Sequence, residues 1–205
     1  MKRTFLTLSL IISAVTLVRA ADEKGFKPLF NGKDTAGWHL RKADGHNSWK
    51  VEDGILKNTV NKGEHGTDLV TDKKFMNFTV KYEYMVPDNS NSGFYLRGRH
   101  EIQILGDYKS GKTSKNGNGA IYNQTAPSEF ASKPGGEWQT AEATIIGNKI
   151  TVILNGKKIH DNVVCDHATG SEIDDKVNEP GPIFLQGDHG TVWFRNIRIK
   201  ELPKE

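Results

Sequence analysis

The chain has 205 residues, 36% of them hydrophobic and 26% charged, with a formal net charge of +3 and one cysteine. That length allows one or at most two domains. Lys2, Arg3 and Arg19 supply the whole positive excess; after residue 20 the 25 basic and 25 acidic side chains balance, which argues against nucleic acid or an anionic membrane as a partner.

Lys2 and Arg3 precede an apolar run from Phe5 to Val18, and Val18-Arg19-Ala20 ends in a small-residue cleavage pattern. Residues 1–20 are therefore expected to be a secretory signal peptide, too short and wrongly flanked for a membrane anchor. Residues 21–205 are then a single exported domain, periplasmic or secreted from a bacterium, with no membrane contact after cleavage. With one thiol there is no internal disulfide, so an ordinary apolar core must hold the domain. Cys165 follows Val163 and Val164 and is expected inside that core.

Short strands and turns follow. Asp53-Gly54 supplies the positive φ angles of a hairpin between Trp49 and Leu56. Leu69–Thr71 is a short strand. From Phe78 to Val86 the alternation is clear, with Val80, Tyr82, Tyr84 and Val86 on one side. Tyr108 to Asn118 is rich in Gly, Ser, Lys and Asn, which predicts a mobile polar loop. Gly119–Tyr122 is a further short strand. Trp138–Ile146, Lys149–Leu154 and Lys157–His160 form a meander through Gly147-Asn148 and Asn155-Gly156. Ile183–Gly187 and Thr191–Ile199 close the chain, and a slip in alternation between Phe194 and Ile197 predicts a β-bulge. No segment of ten residues has helical period, so the fold class is all-β, a two-sheet antiparallel jelly-roll sandwich.

The stretch from Asn89 to Asp107 centres the functional argument. Phe94 and Leu96 alternate with Tyr95 and Arg97, then Ile102 and Ile104 alternate with Glu101 and Gln103. Side chains of a strand point to opposite faces, so Arg97, Glu101 and Gln103 are expected to share one polar face. A guanidinium, a carboxylate and an amide on a rigid sheet suit sugar hydroxyls, or a carbon that needs a base and a charge stabiliser. The same alternation would equally make a plain solvated face, with Arg97 and Glu101 as a cross-strand ion pair.

Ordered fragments along nearly all of residues 21–205 carry a resemblance. They are Leu29-Phe-Asn-Gly-Lys-Asp34, Gly37-Trp38, Trp49 to Leu56, Asn91-Ser-Gly93, Leu96-Arg-Gly98 and Glu101-Ile-Gln-Ile-Leu105 with Asp107. Gly119-Ala-Ile-Tyr122, Gly136-Glu-Trp138, Leu154-Asn-Gly156, Gly181 to Gln186, His189-Gly190 and Phe194-Arg-Asn-Ile197 continue the series. The set resembles the bacterial 3-keto-disaccharide hydrolase family. Three positions depart from its usual pattern: His100 replaces an aromatic before the glutamate, Gly106 separates Leu105 from Asp107, and Gln139 follows Trp138.

The resemblance implies a concanavalin A-like jelly roll and an exported enzyme acting on glycosides whose C3 hydroxyl is already a ketone. A C3 ketone makes the C2 proton acidic, and its removal gives an enolate that expels the group on C1; water can then add back. That chemistry needs a base near C2 and a positive group or metal near the C3 oxygen. The resemblance points to Glu101 or His189 as base, Arg97 as enolate stabiliser and Gln103 as sugar-orienting residue. Asn91, Tyr95, Gln186 and Trp138 are further substrate-binding candidates. The seven histidines show no paired metal-ligand spacing; if a divalent metal (Ca, Zn or Mn) is bound, Glu101, Asp107 and His189 are its candidate ligands. A non-catalytic carbohydrate-binding module is the alternative. A conventional glycosidase needs a second carboxylate roughly 5–10 Å from Glu101, and the strand Glu101-Ile-Gln103 has no acidic residue two or four positions on.

Overall fold

The computed structural model describes residues 24–61 and 63–203; the expected leader, residues 1–20, lies outside them. Thirteen strands occur in the order β1 (Lys27–Pro28), β2 (Trp38–Leu40), β3 (Trp49–Glu52), β4 (Ile55–Asn58), β5 (Leu69–Thr71), β6 (Phe78–Met85), β7 (Asn91–Leu96), β8 (His100–Leu105), β9 (Gln139–Ile146), β10 (Lys149–Leu154), β11 (Lys157–Val164), β12 (Phe184–Leu185) and β13 (Val192–Glu201). They form two antiparallel sheets. The large sheet runs β11-β10-β9-β6-β13-β4-β3 with β1 added beside β13, and the small sheet runs β2-β5-β12-β7-β8. The fold is the all-β jelly-roll sandwich expected from the turn-punctuated sequence. Among the described residues no helix is long and apolar enough to cross a membrane.

The alternation in β6 decides how the sheets meet. Phe78, Val80, Tyr82 and Tyr84 are buried while Thr79, Lys81, Glu83 and Met85 are only partly so. Tyr82 from the large sheet stacks on Phe94 from the small one, ring centroids 3.9 Å apart and planes 4° from parallel. Phe194 of β13 packs at 6.3 Å from both Trp49 and Phe94. This aromatic seam and the aliphatic strands around it form the core. Cys165 is buried in the same cluster, as its apolar neighbours suggested.

Turn chemistry sets the register. Asp53 (φ 52°) and Gly54 (φ 77°) close the β3–β4 hairpin, and Asn155 (φ 50°) with Gly156 (φ 82°) closes β10–β11, both with the paired positive φ of a type I′ turn. The expected bulge in the last strand is present: pairing with β6 slips between Arg195 and Arg198, at Asn196 (φ 53°). Three strands differ clearly from expectation in length, among them β12, which is only Phe184–Leu185 where 183–187 was expected. β11 continues to Val164 past its own register slip, and residues 119–122 make only isolated bridges from Ile121 to Ile102 and Thr125.

Residues 108–116 form the exposed polar loop expected, but its end is anchored. The segment opens with a 3-10 turn, Tyr108–Ser110, and ends at a buried hub, Asn118. Tyr84 OH and the Leu105 N–H donate to Asn118 Oδ1 at 2.9 and 3.1 Å, and Asn118 Nδ2 donates to Ser132 Oγ at 3.1 Å. A buried amide with each polar group satisfied is a fastening, because leaving it would strand several groups at once. Gly106, one of the departures from the family pattern, has a steric reason: a Cβ there would lie 2.0 Å from Pro87 O. Gly106 N donates to Ser90 O at 3.0 Å and Asn89 N to Gly106 O at 2.9 Å, which locks the crossover between the sheets to the end of β8. Gly106→Ala should therefore destabilise the fold by about 1–3 kcal/mol through overpacking against backbone, read as a lower midpoint in urea unfolding with an unchanged slope.

Candidate active site

The face of the small sheet that turns away from the core carries the chemistry. Register pairs His39 with Val70, Val70 with Phe184, Phe184 with Tyr95 and Tyr95 with Glu101, so these five side chains form one row across five strands. One step along the strands Gly93 pairs with Gln103, Gln186 N donates to Gly93 O and Arg41 N to Asp68 O, giving a second row of Arg41, Asp68, Gln186, Gly93 and Gln103. Tyr95, Glu101 and Gln103 therefore share a face as the alternation predicted. It is not a solvated one: β7 and β8 are buried on both sides, Glu101 is only 3% exposed and Gln103 4%.

Glu101 is the centre of this face. Its carboxyl lies against Gly93, where an added Cβ would come within 2.2 Å of Oε1. Tyr95 OH donates to Glu101 Oε2 at 2.8 Å, and the tyrosine ring is itself fixed by stacking on Phe184 at 4.1 Å. Burial pushes the Glu101 carboxyl up to about 7; the tyrosine hydrogen bond and His189 oppose the rise, while Asp188 and Asp68 add to it. The Tyr95 hydroxyl is pushed up by burial and by the carboxylate beside it, so it stays a donor.

His189 sits on the exposed turn between β12 and β13, against the Asp188 carboxylate in a short Nδ1 contact. That turn is pinned from beneath. Asn58, fully buried, donates from Nδ2 to Gly187 O at 3.0 Å and to Gly190 O at 2.8 Å, while Ser48 Oγ donates to Asn58 Oδ1 at 2.5 Å. Gly187 N donates to Asp68 Oδ1 at 3.0 Å. Burial raises the Asp68 carboxyl above its ordinary range, and Arg41, 3.5 Å away, pulls the other way. Asn91 Oδ1 and Gln186 Oε1 are buried with no hydrogen-bond partner. Bare acceptors on an otherwise satisfied face mark where a ligand's hydroxyl groups would bind.

Three of the sequence candidates go elsewhere. Arg97 does not share the Glu101 face: its φ of 54° takes it out of the strand into the β7–β8 turn. Its side chain is fully buried, donating to Met76 O at 2.7 Å, Val177 O at 3.3 Å and Asn77 Oδ1 at 3.3 Å, so it can neither pair with Glu101 nor meet a substrate. Trp138 immediately precedes β9 of the other sheet, and Arg195 lies 4.0 Å over its ring, so it is neither core nor part of this face. Asp107 fastens a loop, accepting from Asn118 N and Ser132 Oγ, each at 2.9 Å. Among the described residues no three of His, Cys, Asp and Glu converge to hold a metal ion. The candidate metal ligands Glu101, Asp107 and His189 thus do not form one such cluster.

Asp68, Asp188, Arg41 and Asn58 were missed. Asp68 and Asp188 supply the acidic neighbours that the Glu101 strand lacks, from just before β5 and from the His189 turn. Asp188-His189 was legible as a turn, but nothing in the sequence links residue 68 or 58 to residue 187.

A jelly-roll sandwich with a buried, near-neutral carboxyl and unpaired acceptors on one sheet face has the architecture of a glycosidase-type enzyme, and the relatives agree. The chain belongs to the 3-keto-alpha-glucoside-1,2-lyase-like domain family, whose model matches residues 25–200. A 3-keto-disaccharide hydrolase of Bacteroides thetaiotaomicron is 30% identical, the match covering 88% of this chain and 80% of that protein. A Parabacteroides distasonis protein provisionally assigned as a glycosyl hydrolase shares 30% identity at a TM-score of 0.68, over 87% of this chain and 84% of that one. Bacillus licheniformis β-glucanase, 14% identical at a TM-score of 0.56 over 87% of this chain and 97% of its own, shares the fold.

The buried carboxyl has a thermodynamic consequence. Its folded value of about 7 lies above the ordinary 4.5, so between those pH values the folded state holds a proton the unfolded chain has lost, and stability falls as pH rises through that window. The full cost, present above pH 7, is on the order of 3 kcal/mol. Glu101→Gln keeps an acceptor for Tyr95 and removes the charge. It should raise stability at pH 8 by up to that amount and leave it nearly unchanged at pH 4, measured by urea unfolding at both pH values.

Proposed function

We propose that the chain is an exported enzyme that cleaves 3-keto-glycosides and 3-keto-disaccharides, with Glu101 as the base that removes the C2 proton. The observation that carries this reading is the Glu101 carboxyl itself: buried, held by Tyr95, and titrating near 7, where a general base works best. A family match and a relative named for this substrate class support it.

In this scheme Glu101 takes the C2 proton and the C–H electron pair moves into an enolate on the C3 oxygen. The enolate re-forms the ketone as its electrons expel the C1 oxygen, leaving a C1–C2 double bond. His189, held at Nδ1 by Asp188, gives a proton from Nε2 to the departing oxygen. Water then adds, its oxygen to C1 and a proton to C2, so the net change is hydrolysis. With Arg97 engaged elsewhere, the side-chain amides of Asn91 and Gln186 hold the sugar, each able to turn a carbonyl or an NH2 toward a hydroxyl or the C3 oxygen.

Asp188 and Asp68 lie within electrostatic reach of Glu101, so a two-carboxylate glycosidase is the second reading. Asp68 starts three strands from β8, roughly 14 Å between the backbones, and its carboxylate is engaged by Gly187 N and Arg41. Asp188 is engaged by His189. Product analysis in deuterated water separates the two: C2 proton removal leaves deuterium at C2, whereas direct displacement at C1 leaves none, and its absence would overturn the proposal. Glu101→Gln should lower turnover of a 3-keto-glucoside by 100-fold or more, in line with the loss of a general base. In the parent enzyme kcat/KM should rise tenfold per pH unit below about 7, because the base must be ionised, and fall again at alkaline pH, where no acid remains to protonate the departing oxygen. Asp188→Asn should cost less than Glu101→Gln if Asp188 only orients His189, and as much if it is a second catalytic carboxylate.

A further inference from the structure

The outward row His39, Val70, Phe184, Tyr95 and Glu101 spans five strands, about 19 Å at the usual strand spacing. A face of that length could carry an oligosaccharide across the sheet, yet its middle is closed. Val70, Phe184 and Tyr95 point away from the core but are only 5%, 0% and 1% exposed. Ile173 packs against this cluster, and the Arg41 guanidinium lies over the Phe184 ring, 5.1 Å from its centroid.

Ile173 belongs to a strap, residues 168–182, that is tied down along its length. Arg41 donates to Ser171 O at 2.8 Å and to Glu172 O at 2.7 Å, just before Ile173. Ile173 N donates to Gly98 O at 3.0 Å, and a Cβ on Gly98 would lie 2.8 Å from Ile173 Cδ1, so the glycine makes the seat. Arg97 bonds Val177 O, while Arg99 bonds Glu179 O at 3.0 Å and the Asp174 carboxylate at 2.5 Å. At its start, Thr169 Oγ1 accepts from Glu101 N at 2.9 Å, so the strap begins at the catalytic strand. Beyond Ile173 the face opens again into a cavity of about 390 Å³ that reaches the edge of Val70 and is lined besides by His39, Arg41, Asp72 and Lys74, with Ile173 and Pro182 as walls.

We propose that Ile173 is the residue that limits substrate length. It separates the Glu101 end of this row from the cavity at His39, and so confines binding to glycosides about the size of a disaccharide. An isoleucine offers hydroxyl groups no partner, so a sugar crossing it would lose hydrogen bonds to water without replacement. The inference rests on the Glu101 end of this face being the glycoside site, but it concerns reach rather than chemistry and is tested by binding alone.

Calorimetry would compare maltose with maltotetraose, and cellobiose with cellotetraose, on the Glu101→Gln protein and on the same protein carrying Ile173→Ala. The tetrasaccharide should bind no more tightly than the disaccharide before the second change and at least tenfold more tightly after it, for one of the two linkages. Arg41→Met on the Glu101→Gln protein, which frees the strap from the guanidinium while keeping Ile173, should give the same direction of change and covers the case in which the alanine variant does not fold. Absence of any gain for the tetrasaccharide in folded variants, whether both lengths bind equally or neither binds, overturns the proposal. An active Glu101→Gln enzyme would instead count against the assigned base and leave the length comparison standing.

Discussion

A carboxyl that a sheet has removed from water, with one hydroxyl donating to it, is the constraint on which the rest of the site depends. Glu101 can lie flat on the sheet only because the residue diagonal to it on β7 is Gly93. Tyr95 can hold it only because Phe184 fixes the ring from the next strand. One neutral donor does not replace the hydration of a carboxylate, so the group rests near the point where it gains or loses its proton. The fold thus carries a local cost at the place where proton transfer would be carried out, and the aromatic seam between the sheets is what makes that cost tolerable.

The second part of the site comes from the way the chain crosses between sheets. Residues 86–90 lead from β6 to β7 and residues 186–191 from β12 to β13, so both connections pass from one sheet to the other. They touch: Ser90 Oγ donates to Thr191 O at 2.8 Å, and a Cβ on Gly190 would lie 2.9 Å from Asn91 O. Asn91 and the Asp188-His189 turn are thereby delivered together, with Asn58 beneath them as a buried latch between sheets. Loops that carry function need such anchoring, since their own backbone supplies little rigidity.

What could be read in the sequence was whatever depends on neighbours along the chain. Asp53-Gly54 and Asn155-Gly156 dictate their turns through φ alone, and the slip before Ile197 announced the bulge at Asn196. Alternation placed Tyr95, Glu101 and Gln103 on one face. It failed at Arg97 because a single positive φ ends the period, and a non-glycine residue gives little warning of that. It could not say which sheet Trp138 joins, since both sheets are written in the same two-residue period. Asp68 and Asn58 were out of reach for a different reason: their roles come from contacts with a turn more than 110 residues away, and a polar residue beside a short strand looks the same whether it faces solvent or a partner.

The strand that bears Glu101 shows how burial on both faces acts as chemistry. His100 and Glu101 are adjacent and point to opposite sides, and each is driven toward its neutral form. Burial, together with the guanidinium groups of Arg97 and Arg99, lowers His100 to about 4, and burial raises Glu101 to about 7. Arg99 is paired with the Asp174 carboxylate, whereas Arg97 donates to Met76 O, Val177 O and Asn77 Oδ1, none of them charged, and its positive charge falls on the histidine. Between those two values neither residue is charged. Above the upper one only Glu101 changes, so the face acquires its negative charge together with its ability to accept a proton, and without an accompanying titration of the residue beside it.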